Sequence, residues 1–124
     1  MYIQLKFIGG IYNMDKNEEI SLISKLLSLP AGYDVGCGGI ISVRRYEYPM
    51  WAVEWEEYNN PKYHSSEIKM EVLEFSDPVS AAKCFIDLKN MVGVALDAEM
   101  VKERTGYYLL GKDLEAFKEK WREK

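Results

Sequence analysis

Residues 67–92, EIKMEVLEFSDPVSAAKCFIDLKNMV, constrain the fold more than any other stretch of the chain. Ile68, Met70 and Val72 alternate with Lys69 and Glu71, the two-residue period of a half-buried strand. Ser76-Asp77-Pro78 ends that strand. Asp77 suits a helix N-cap, where its carboxylate accepts from a free amide of the first turn. Pro78 suits the first helical position, where a missing N–H is no loss. Val79, Ala82, Phe85, Leu88 and Val92 then recur at helical spacing, with Ala81, Cys84 and Met91 widening the apolar stripe. A strand that feeds directly into a capped amphipathic helix calls for a sheet backed by helices.

The flanking sequence extends that plan. Ile3, Leu5 and Phe7 alternate with polar neighbours in a strand over 2–8. Asp15-Lys16-Asn17-Glu18 has capping-box spacing, and the helix it opens, over 16–28, buries Ile20, Ile23, Leu26 and Leu27 and stops before Pro30. GYDVGCGG, residues 32–39, reads as a glycine-rich loop. Strands over 40–48 and 50–58 meet in a hairpin at Tyr48-Pro49-Met50, with Trp51, Val53 and Trp55 sharing a core face. A polar loop over 59–66 holds His64. Beyond the second helix, Gly93 reads as its C-terminal glycine, and 94–101 with 107–110 as a second hairpin. Asp113 reads as the cap of a last helix that buries Leu114, Phe117 and Trp121.

The resulting order, β-α-β-β-β-α-β-β-α, predicts one α+β domain over 1–124. It is a mostly antiparallel sheet of five to six strands with two or three helices packed on one face. The helix over 78–92 is expected to cover the face carrying Val53, Trp55 and Met70. Arg44 and Tyr46 then lie on the opposite face.

Composition narrows the function. A length of 124 residues matches the commonest domain size of ~100–150. A hydrophobic share of 48% separates the chain from disordered sequences. Net charge −4 and pI 5.1 disfavour nucleic acid as a partner and argue against an anionic membrane surface. No stretch reaches the ~20 apolar residues of a membrane span, and the N-terminus lacks the pattern of a signal peptide. A cytoplasmic protein is therefore expected. Fourteen Glu and twelve Lys beside a single Gln lean toward a thermophile.

Two constellations carry chemistry. Cys37 sits among glycines whose amides can lower a thiol pKa, and His64, the only histidine, is the available base. No cysteine-protease signature surrounds either residue, and a turn thiol explains Cys37 more simply. The glycine run lacks the Gly-Lys-Ser/Thr ending of a phosphate loop. Glu47, Glu54, Glu56 and Glu57 have no ligand spacing, so neither a metal nor a cofactor is expected, and a solvated sheet face accounts for them. Arg44, Tyr46 and Tyr48 share a strand face with Ser42, and Tyr63 with His64 can border them. Tyrosine and arginine dominate protein-interface hot spots.

The expected function is thus a non-enzymatic protein-interaction or ligand-binding module. Its partner is a protein or a second copy of the chain. An enzyme using Cys37 with His64 is the first alternative. Weak single-stranded nucleic-acid binding through Arg44, Tyr46 and Tyr63 is the second.

Overall fold

The computed structural model describes residues 2–5, 15–30, 33–37, 41–47, 49–58, 68–102 and 111–122. They form β1 (Tyr2–Leu5), α1 (Lys16–Ser28), β2 (Asp34–Cys37), β3 (Ile41–Glu47), β4 (Met50–Tyr58), β5 (Ile68–Phe75), α2 (Pro78–Lys102) and α3 (Gly111–Arg122). The class is α+β. The sheet order is β1-β2-β3-β4-β5. Strands β2 to β5 make a four-strand antiparallel meander, and β1 joins β2 in parallel. Parallel neighbours need a crossover, which α1 provides.

Both predicted helix starts are observed. Asp15 accepts from the Glu18 amide at 2.8 Å and caps α1. Asp77 accepts from the Ser80 amide at 3.0 Å and the Ser80 hydroxyl at 2.9 Å, with Pro78 as the first residue of α2. At the other end of α1 the sheet reaches back. Trp51 Nε1 donates to the Leu27 carbonyl at 3.1 Å and Arg45 Nη2 to the Pro30 carbonyl at 2.9 Å. Trp51 thereby satisfies a carbonyl that the helix end leaves without an intrahelical partner, and Arg45 holds the chain just beyond it.

All three helices contribute to one core on one face of the sheet. Val35, Val43, Val53 and Leu73 stand in register across β2 to β5. They are buried with Ile41, Trp51, Trp55 and Phe75 against Ile23 and Leu27 of α1, Phe85, Ile86 and Leu88 of α2, and Phe117 and Trp121 of α3. Phe117 meets Trp55, and Trp121 meets Phe75, both edge to face at 5.7 and 6.1 Å between ring centres. Helix α2 lies against β3, β4 and β5 and also against α1. Burial on two sides explains why Ile86 and Lys89, outside the predicted stripe, are buried. Val79, inside that stripe, is 41% exposed.

Four expectations are corrected. Residues 34–37 are not loop but strand β2, hydrogen-bonded on both sides; a short strand with a glycine in it carries no alternation to read. Residues 94–101 are not a strand: α2 runs on through Gly93 to Lys102. Leu96, Ala98, Glu99 and Met100 are strong helix formers, and one interior glycine costs only ~1 kcal/mol. The proposed partner strand, 107–110, lies outside the described residues. Asp113 falls inside α3, which starts at Gly111.

The fourth correction matters most for function. Strand β5 faces the other way: Leu73 and Phe75 point to the helices, whereas Met70 and Val72 are 60% and 48% exposed. Apolar residues occupy both parities of this strand, and the larger Leu73–Phe75 pair wins the interior. One step of register moves every other side chain to the opposite face.

Candidate functional site

The face of the sheet away from the helices is the candidate surface. Its layout follows from the register. Ser42, Glu54 and Val72 form one row across β3, β4 and β5. Arg44, Ala52 and Glu74 form the next, and Met70 stands opposite Glu56 on the far side of the first. Ala52 is small and buried to 1% exposure, so the sheet is shallow at its centre. Arg44, Ala52, Glu54, Met70, Val72 and Glu74 line a groove of about 330 Å³ there.

The charges of this groove are arranged, not scattered. Arg44 Nε and Nη2 donate to Glu54 Oε1 at 3.1 and 2.9 Å, a diagonal cross-strand ion pair. This pairing offsets the Arg44 charge locally. Exposed Glu74 leaves the upper rim acidic beside the apolar Met70–Val72 strip.

The sequence-derived binding set is brought together only in part. Ser42 and Arg44 share the open face as expected. Tyr46 lies on β3, where the β3–β4 register shifts between Arg45 and Glu47. Tyr48, Tyr63 and His64 lie outside the described residues. Cys37 ends β2, in register with Leu5 and Ile41, rather than sitting in a loop. Met70 and Val72, the apolar part of the surface, were assigned to the interior by alternation alone. The Leu73–Phe75 pair was the signal pointing the other way.

The titratable groups of the interior are structural. Cys84 is a buried free cysteine, and burial followed by the nearby Asp87 charge pushes its thiol pKa far up, leaving it protonated and unreactive. Asp87 of α2 receives Lys16 of α1 at 2.9 Å and Lys120 of α3 at 3.0 Å, joining three helices at one carboxylate. Its partial burial works against ionisation, but the two lysine hydrogen bonds outweigh it and hold the pKa below the ordinary 3.8. Lys89 of α2 is buried and reaches Glu19 of α1. Lys118 of α3 is buried beside Glu115 at 3.1 Å and Glu71 of β5 at 3.8 Å. Among the described residues no three His, Cys, Asp or Glu side chains gather as metal ligands, and no helix is long and apolar enough to cross a membrane. Comparison with protein-family models, with curated proteins and with solved structures finds no match for this chain.

Proposed function

We infer that the protein is a non-enzymatic interaction module whose working surface is the open face of the sheet. The observation that carries this reading is the exposed Met70–Val72 strip beside the Arg44–Glu54 pair, over a groove whose floor is Ala52. Solvated sheet faces are normally polar; an apolar strip ringed by charge marks a place where another molecule docks. Charge complementarity names the occupant. With Arg44 engaged by Glu54 and Glu74 exposed on the rim, the groove suits a protein segment presenting an apolar side chain next to a lysine or arginine.

A display library of random peptides panned against the full chain tests this. Enriched sequences are expected to combine an apolar and a basic residue, and to lose at least about tenfold in affinity to the Met70→Lys protein, a change of ~1.4 kcal/mol. Thermal unfolding of Met70→Lys is expected to match the parent, since the side chain is exposed. Failure to enrich any peptide, or binding indifferent to Met70→Lys and Arg44→Glu, overturns the reading.

A further inference from the structure

The charges of the open face continue past the Arg44–Glu54 pair. Arg44 stands opposite Ala52 and Glu54 opposite Ser42, so the pair closes a diagonal step between β3 and β4. Glu54 stands opposite Val72 and Ala52 opposite Glu74, so the same diagonal step leads on from Glu54 to Glu74 on β5. One diagonal over three strands therefore reads plus, minus, minus. Its first step is an ion pair at 2.9 Å; its second sets two carboxylates on either side of a floor made by Ala52 and Val72. Both donors of Arg44 fall on Oε1 of Glu54, which leaves Oε2 without a donor among the described residues. All four corners of this cell, with Met70 beside Val72, line the groove of about 330 Å³.

Resting on the reading that the open face docks a protein segment, we propose that the cation this segment brings is an arginine, laid over Ala52 and Val72 with its guanidinium between Glu54 and Glu74. A positive group there completes the alternation of charge along the diagonal and offsets the repulsion between the two carboxylates. The geometry chooses a guanidinium over an ammonium. Diagonal neighbours on adjacent strands stand ~7–8 Å apart. Arg44 anchors the Glu54 carboxylate on the β3 side, so it does not lean toward Glu74 to close that gap. An ammonium with charged hydrogen bonds of ~2.8 Å joins only oxygens within ~5.6 Å of each other. A guanidinium is a planar fork of five donors and reaches carboxylates on two sides at once. Its flat, weakly hydrated face also suits an apolar floor. An apolar residue next to the arginine falls on the exposed Met70–Val72 strip.

Titration of the isotope-labelled full chain with capped dipeptides at low salt, followed by its backbone amide signals, tests this. The probes are N-acetyl-leucyl-arginine amide, its lysine counterpart and its citrulline counterpart, which keeps the shape of arginine without the charge. The arginine dipeptide is expected to move the signals of residues 52–54 and 72–74 and to bind roughly threefold or more tightly than the lysine one. The citrulline dipeptide is expected not to bind. Glu74→Gln is expected to weaken the arginine dipeptide about tenfold, the worth of one charge-assisted hydrogen bond, and to erase its lead over lysine. Glu119→Gln, the same change of charge at an exposed position of α3, is expected to leave binding unchanged. Open-face shifts that are lost in Met70→Lys but are equal for arginine and lysine, or that survive Glu74→Gln, overturn the proposal and leave the docking surface standing. Binding that weakens as much with Glu119→Gln signifies general attraction to an acidic chain and overturns it as well. No shift with any of the dipeptides overturns the proposal, and the panned library then decides the docking surface separately.

Discussion

Asp87 is the residue on which the helical layer converges. Lys16 and Lys120 each bring a positive charge to one of its oxygens, and the carboxylate is only 18% exposed. Because its folded pKa lies below 3.8, the linkage has a definite sign. The stabilisation is complete above the ordinary carboxylate range and is lost as the pH falls through the lowered folded value. Asp87→Asn should therefore destabilise the protein by ~1–2 kcal/mol near pH 7. The gap between variant and parent should close on acidification below that range; urea titrations at several pH values measure it, and a gap independent of pH contradicts the assignment. Cys84 beside it makes the opposite prediction about reactivity. In a Cys37→Ser background the remaining thiol should resist a thiol reagent until the protein unfolds. Reaction in the native state at the rate of an exposed thiol would show that the burial is not as described.

Among the elements, α1 depends on the sheet for its ending. Trp51 donates to the carbonyl of Leu27, one of the groups that helix geometry leaves over. Trp51→Phe keeps most of the ring but removes the donor, and should cost ~1–2 kcal/mol in unfolding free energy. The Glu19–Lys89 pair ties α1 to α2 under cover. Lys89→Ala alone should be more damaging than the double change Glu19→Leu, Lys89→Met, since the single change strands a carboxylate and the double one removes both charges. A double-mutant cycle measures that difference.

Elements that announce themselves through capping chemistry were legible from sequence: Asp15 and Asp77 both sit where their side chains say. Elements defined by tertiary pairing were not. Strand β2 exists because β1 and β3 hold it from both sides, and its glycine offers no side chain to read. The extension of α2 past Gly93 is settled by helix propensity over ten residues, against an alternation that Val94, Leu96, Ala98 and Met100 happened to mimic. The candidate surface was half legible. The place of Arg44 on the face away from the helices follows from alternation in its strand, whereas the apolar strip was hidden because β5 is hydrophobic at both parities.

At the scale of the whole molecule, the two faces of the sheet divide the labour. One face carries the core and all three helices; the other carries a groove that no described helix covers. Substitutions should sort by face. Met70→Lys and Val72→Lys should change the unfolding free energy by no more than ~0.5 kcal/mol. Val53→Ala in β4 or Leu73→Ala in β5, both facing inward, should cost ~2–4 kcal/mol. Chemical denaturation of the four variants checks this, and equal costs on both faces would refute the orientation of β5. Where the face determines the cost, binding and folding can be altered independently.

The innermost ring of that core has an optical consequence. Trp55 is fully buried against Phe117, and its indole N–H meets no acceptor among the described residues. An indole so fully withdrawn from solvent should emit toward the blue and be slow to quench by acrylamide. Read in a chain where Trp51 and Trp121 are replaced by Phe, that emission would report directly on water reaching the centre of the protein.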